Sequence, residues 1–249
     1  MQRATVWWSS ASCGREPAVM PTPSNYLLAS LPAAVLGVLA QHLHTVTLAQ
    51  DTVLAEAGDL MTHVYFPHGG VISLVVSLAG GETIEVAKIG RNGVLGAAAA
   101  FEGRQALSRA IVQLPGMASV IDFEQFRRIA EQSAELRNAV VRHGQFVFAQ
   151  AQQSAACNAA HGVEARLARY LLQMRDLSGS DNLLLTQEVS AQMIGARRNS
   201  VSLVSNTLQH AAIIRYSRGN VEILDLDGLR KAACECYATV RAHEQRLLY

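Results

Sequence analysis

Four arginines cluster in the second half of the chain: Arg197 and Arg198 side by side, Arg215 and Arg218 a little further on. No aspartate or glutamate lies between Val189 and Val221, so the stretch itself offers these guanidinium groups no acid. A permanently charged planar fork suits bidentate contact with phosphate or with guanine. Asn199, Ser200 and Ser202 stand beside them and add neutral donors and acceptors. The chemistry implied is phosphate contact combined with base reading.

Such groups must be held by rigid elements, and the flanking residues describe them. Thr186 is a good N-cap with Glu188 in the first turn, so a helix is expected from Gln187. Ala191 is small where a crossing helix needs close approach, and Gly195 supplies the freedom of a helix end. In the next helix Val201, Val204 and Leu208 recur at three and four residues and form a buried stripe, which turns Arg198, Asn199, Ser202 and Asn206 to solvent. Ile213, Ile214 and Tyr216 then lead into Ser217-Arg218-Gly219-Asn220, and Val221, Ile223 and Leu224 return as a hairpin. Two helices around a tight turn followed by an arginine-bearing hairpin are the layout of a winged helix-turn-helix. Arg198, Asn199 and Ser202 are expected at base edges. Thr186, Gln187, Arg197, Ser200, Arg215 and Arg218 are expected at phosphates.

The rest of the 249-residue chain bounds this reading. Formal net charge is only +1, so the basic character is local, unlike that of an indiscriminate polyanion binder. Length favours two domains at roughly 150 residues each. Cys13, Cys157, Cys234 and Cys236 lack the spacing of a disulfide framework or a zinc finger; Cys234-Glu-Cys236 reads as structural and no metal ligand is assigned. A reducing cytoplasm fits this usage. Residues 1–22, with Trp7 and Trp8 but no signal-like apolar run, read as a loose arm. Tyr26 to Leu43 falls short of the roughly 20 apolar residues of a membrane span. Pro32 followed by Leu36, Leu39 and Leu43 instead predicts a short amphipathic helix.

Between Val46 and Val120 short β-prone runs alternate with glycine-rich turns: Val64 to Phe66, Val71 to Leu78, Thr83 to Ile89 and Ala110 to Gln113. This spacing predicts a roll or sandwich. Ile84 and Val86 alternating with Glu85 and Lys88 predict a sheet with one wet face. From Asp122 glycine thins out, and Phe123, Phe126, Ile129, Leu136, Val140, Val147 and Ala151 predict one long helix to about Asn158. Its small residues Gly144, Ala151 and Ala155 would let two such helices approach. Leu167, Tyr170, Leu171 and Met174 form a further amphipathic helix before the loop Ser178-Gly179-Ser180-Asp181. The fold class is α+β: an arm over 1–22, a jelly-roll-like β-roll over 23–122, a connecting helix over 123–158 and a winged helix-turn-helix over 159–249. No phosphate-cradling glycine loop, nucleophile elbow or metal-spaced His-Glu pair appears, and Gly90-Arg91-Asn92-Gly93 reads as a turn. An enzyme is not expected.

A β-roll, a long helix and a C-terminal winged helix, in that order, resemble the Crp-Fnr family of bacterial transcription regulators. The resemblance runs from Tyr26 to Ala233. It is strongest in LTQEVSAQMIGARRNSVSLVSNTLQHAAIIRYSRGNVEILD, Leu185 to Asp225, and VYFPHGGVISL and GETIEVAKIGRNGVLGA are similar to a variant of the family's sensor roll. It implies a cytoplasmic homodimer on an inverted-repeat operator of double-stranded DNA, with its recognition helices about 34 Å apart and RNA polymerase as a partner. Arg198 matches the family's base-reading arginine and Ser200 the small hydroxyl residue after it. Asn199 stands where glutamate is common, and Leu203 where cyclic-AMP-responsive members have a second arginine. Asparagine favours adenine over cytosine, so a different operator is expected.

The resemblance leaves the effector open. Cyclic-AMP binders carry Gly-Glu and then Arg-Ser; here the run is VLGAAAAFEGRQALSRAIV, with Ala97 in place of the ribose-binding glutamate and Ser108-Arg109 reversed. Glu82, Ser108 and Arg109 are the candidate effector contacts, and cyclic AMP is not expected. Neither is an iron-sulfur cluster, since Cys13 is alone near the start, nor haem on the isolated His42, His44, His63 or His68. The competing reading is a cyclic-nucleotide-binding-like module that docks a protein partner instead of DNA.

Overall fold

The structure, a computed structural model, describes residues 24–101 and 103–248. The arm with Trp7, Trp8 and Cys13 lies outside the described residues. Two short helices, α1 (Tyr26–Ala29) and α2 (Ala33–Ala40), precede the sheets. Leu39 is the buried anchor of the expected helix, which starts after Pro32. Asn25 fastens α1 to the roll: its amide donates to the carbonyls of Pro67 and Gly93 while its oxygen accepts from the Leu28 amide.

The roll consists of two antiparallel sheets. One has the order β1 (His44–Leu48), β7 (Gly116–Asp122), β3 (His63–Pro67); the other is β2 (Val53–Ala55), β6 (Arg109–Leu114), β4 (Val71–Ser77), β5 (Thr83–Ile89). Strands β3, β4, β5 and β6 fall where the sequence places them, and β1, β2 and β7 complete the sheets. Val64, Phe66, Ile72, Ile89, Val112 and Val120 fill the space between, joined by Phe123, Phe126 and Leu136 from the helices that follow. The second sheet is covered on its outer face too: Val71, Val75 and Leu114 join the core of the C-terminal unit. Burial on both faces explains the apolar run of β4, interrupted from Val71 to Val76 only by the buried Ser73.

The wet face expected of β5 is not found. Glu85 and Lys88 are both buried, pair with each other, and are satisfied by Ser73 and by Gln173 Oε1. The cause is a β-bulge: Leu74 pairs with Ala87 but Val75 with Glu85, leaving Val86 unopposed. The extra residue shifts the alternation by one, and both charges reach the same covered face.

The expected long helix is two. Helix α3 (Phe123–Gln132) is capped by Asp122, and α4 (Ala134–Ala160) starts anew after Ser133, which is extended and caps the Leu136 amide. One face of α4 buries Leu136, Val140, His143, Phe146, Gln150 and Cys157. His143 accepts from the Val94 amide, and burial lowers its pKa to about 4. The opposite face exposes an apolar stripe that runs Val141, Gly144, Phe148, Ala151, Ala155, alternately three and four residues apart; Val141 is 53% and Phe148 64% exposed.

Helix α5 (Val163–Ser178) carries Leu167, Leu171 and Met174 into the second core. It supports α6 (Gln187–Met193), α7 (Arg198–His210) and the three-stranded wing, β8 (Asn182–Leu183) against β10 (Asn220–Ile223) against β9 (Ile214–Ser217). Strand β8 follows directly on the loop Ser178-Gly179-Ser180-Asp181 and carries no sequence signal, because two residues are too few for a period. Helices α8 (Leu226–Ala232) and α9 (Cys236–Leu248) close the chain, and α9 packs back along α4. No helix among the described residues is long and apolar enough to cross a membrane.

Candidate nucleic-acid interface

Helix α6 starts where Thr186 Oγ1 accepts from the Val189 amide, and it ends at Gly195 (φ 61°). There the Ala196 amide reaches back to the Ala191 carbonyl, a left-handed stop that any side chain would strain. A Cβ on Gly195 would also lie 3.4 Å from Ile84 of β5, so the turn rests on the roll. Arg166 ties this turn to α4, donating to the Asn158 carbonyl at 3.0 Å and to that of Gly195 at 3.5 Å.

Helix α7 begins after Arg197 with no side-chain cap and no acid in its first turn. Its first amides therefore offer partial positive charge to a phosphate. Val201, Ser205 and Leu208 are buried, with Val204 partly so, while Arg197, Arg198, Asn199 and Asn206 are exposed. The outward face sequence reasoning undervalued belongs to Leu203, 70% exposed between Asn199 and Asn206. An exposed leucine on a polar helix face was the available signal.

Not all the expected contacts stand free. Arg198 Nε lies 3.4 Å from Glu188 Oε2, both well exposed; such a pair contributes at most about 1 kcal/mol and yields readily to a phosphate or base. Ser202 donates to Gln187 Oε1 at 2.6 Å, coupling the two helices and leaving the serine oxygen as an acceptor. Arg215 pairs with Glu222 at 2.9 Å, the first acid beyond the acid-free stretch, which faces it across the hairpin. Arg197 and Arg218 form no ion pair among the described residues. Arg218 and Gly219 are the two loop residues between the paired Ser217 and Asn220, both left-handed at φ 47° and 80°. That is the two-residue hairpin turn whose twist matches its strands.

The roll and α4 enclose a groove of about 570 Å³ lined by Leu74, Val76, Val86, Leu95, Phe148 and other apolar groups, with Gln105, Ser108 and His143 as polar exceptions. Of the candidate effector contacts only Ser108 lines it. Glu82 sits exposed at the β4–β5 turn, and Arg109 turns to Glu56 at 3.4 Å. Among the described residues no lysine or arginine lines the groove, which does not fit the charge of a cyclic phosphate.

Elsewhere the fold gathers four groups the sequence keeps apart. Cys157 and His161 at the end of α4 meet Cys234 and Cys236 at the start of α9, with all four ligand atoms within 4.8 Å of one another. Burial pushes the Cys157 thiol up to about 12 and raises that of Cys234. His42, His44, His63 and His68 join no such group among the described residues.

Two domain families match the chain: the Cyclic nucleotide-binding domain over residues 45–133 and the Crp-like helix-turn-helix domain over residues 165–232, together more than half of it. The chain belongs to the Crp-Fnr family. It is a DNA-binding transcription regulator, in a class of regulators and not of enzymes. Similar solved structures include a putative crp/fnr-family transcriptional regulator from Eubacterium rectale, 19% identical over 84% of this chain and 98% of that one, with a TM-score of 0.64. A CRP-family transcriptional regulator from Thermus thermophilus is 22% identical over 76% and 96%, at 0.64. FixK2 from Bradyrhizobium japonicum is 14% identical over 77% and 98%, at 0.65. These likenesses establish the Crp-Fnr fold. None of the curated proteins matches the chain.

Proposed function

We propose that this Crp-Fnr protein works in the cytoplasm as a homodimer on an inverted-repeat operator, with RNA polymerase as its partner in transcription. Residues 23–122 would serve as the sensor, 123–158 as the connection and 159–249 as the DNA reader. The observation that carries the reading is the exposed N-terminus of α7, with no acid in its own first turn and with Arg197, Arg198 and Asn199 together at the mouth of a helix whose back is buried. Arg198, Asn199 and Ser202 read base edges, and Leu203 meets a thymine methyl. Thr186, Gln187, Arg197, Ser200, Arg215 and Arg218 grip phosphates, Arg215 after leaving Glu222. The stripe from Val141 to Ala155 has the spacing of a two-helix seam, which supports the homodimer. The groove, where Ser108 is a candidate contact and Arg109 is engaged elsewhere, suits a weakly polar effector better than cyclic AMP.

The test is selection of bound sequences from a random DNA pool, followed by titration at two salt concentrations. The expected result is an inverted repeat whose half-sites lie about 34 Å apart, an affinity that falls steeply with salt, and loss of preference at one base pair per half-site in Arg198→Ala. Recovery of the best-known family consensus unchanged would overturn the role of Asn199. Binding without a salt slope would favour a protein-docking module.

A further inference from the structure

We propose that Cys157, His161, Cys234 and Cys236 form a closed, tetrahedral zinc site that clamps the end of α4 to the start of α9. All four donor atoms lie within 4.8 Å of one another, within reach of a single ion. With zinc bonds of about 2.3 Å to sulfur and about 2.0 Å to nitrogen, a tetrahedron has edges of about 3.8 Å between sulfurs and about 3.5 Å between sulfur and nitrogen. Cys157 and Cys234 sulfurs lie 3.5 Å apart, and Cys236 Sγ lies 3.6 Å from His161 Nδ1. A four-iron cluster would place its thiolates on four different metals and spread them beyond this spacing.

Local structure explains the convergence. Cys157 and His161 are four residues apart on one face of the last turns of α4, and His161 is its C-cap. Cys234 follows the end of α8, and Cys236 opens α9. The site's three cysteines are buried, and its four protein donors fill a tetrahedron with no open position for a catalytic water.

The surroundings are those of a thiolate centre. Gln153 Nε2 donates to Cys236 Sγ at 3.0 Å. His161 Nε2 lies 3.2 Å from Glu235 Oε1, a carboxylate–histidine arrangement that fixes the ring with Nδ1 toward the metal. Binding replaces the three thiol protons: zinc, three thiols and a neutral imidazole give a complex with one net negative charge and three released protons, and no electron moves. Arg169, only 5% exposed, stands close enough to favour the Cys157 thiolate, and its Nε has no hydrogen-bond partner among the described residues. It is the cation this charge needs.

The experiment uses the full chain, isolated without added chelator. Elemental analysis is expected to give about one zinc per chain; substitution with cobalt should produce thiolate charge-transfer absorption and the intense visible bands of tetrahedral cobalt. Cys157→Ser and Cys236→Ser should each cut metal content to about a tenth or less, while Cys13→Ser keeps it. The stoichiometry and cobalt spectrum of the unaltered chain decide the matter even if the serine variants fail to fold. Substoichiometric zinc without the cobalt bands, iron as the resident metal, or a Cys157–Cys234 disulfide in anaerobically purified protein each overturns the proposal. None of these measurements depends on DNA binding.

Discussion

Replacing Arg218 with asparagine should move two properties in opposite directions. Arg218 is the first loop residue of the wing hairpin and is held at φ 47°. A left-handed conformation costs an ordinary side chain about 1–2 kcal/mol, whereas asparagine adopts it readily and Asn-Gly is the favoured pair for this turn. The substitution should therefore stabilise the fold by about 1 kcal/mol, which in a chain of this size raises Tm by about 2–4 °C. It also removes a guanidinium that forms no ion pair among the described residues. If that group meets a phosphate, the slope of log affinity against log salt should shrink by about 0.9 per protomer, with affinity for all sequences falling alike. Calorimetry and fluorescence titration of an operator duplex at several salt concentrations read the two effects separately. An unchanged salt slope would refute the phosphate role, and a lower Tm would refute the strain argument.

Two further outcomes follow from buried groups. His143, lowered to about 4 by burial, stays neutral in the folded chain while an unfolded histidine at about 6.5 takes up its proton; stability is thus present above about pH 6.5, falls as pH drops toward 4, and should be about 2 kcal/mol lower at pH 5. Urea unfolding should show this slope reduced in His143→Gln, and identical slopes would discard the assignment. Burial also lowers Lys88, which Glu85 opposes; Glu85→Gln should cost about 3–5 kcal/mol by stranding the ammonium, whereas Glu85→Leu with Lys88→Met should cost clearly less. Equal midpoints for the two variants in denaturant titrations would contradict that.

Much of the reading unit was legible because its determinants are local. A threonine cap, a left-handed glycine and a three-four apolar stripe act over a few residues, and Thr186, Gly195, Val201 and Leu208 take the places they dictate. What escaped depends on partners distant in sequence or on small shifts of register. The unopposed Val86 turns Glu85 and Lys88 inward, and no alternation count reveals such a shift. Ser133 sits among helix formers, so its extended backbone hides behind a continuous pattern. Glu222 lies one residue beyond the acid-free stretch, yet the hairpin sets it opposite Arg215. Cys157 and Cys234 are 77 positions apart, and only the return of α9 along α4 makes them neighbours.

The homodimer proposed on the exposed stripe of α4 has a consequence beyond holding two copies together. Gly144, Phe148 and Ala151 belong to that stripe and also line the groove beside the roll. A small molecule lodged there and a second chain seated on the helix would share the same three side chains, so each must alter the other's affinity by an equal factor. On that proposal, titrating such a molecule would weigh the pairing of the subunits, and diluting the protein would change how tightly the groove holds it.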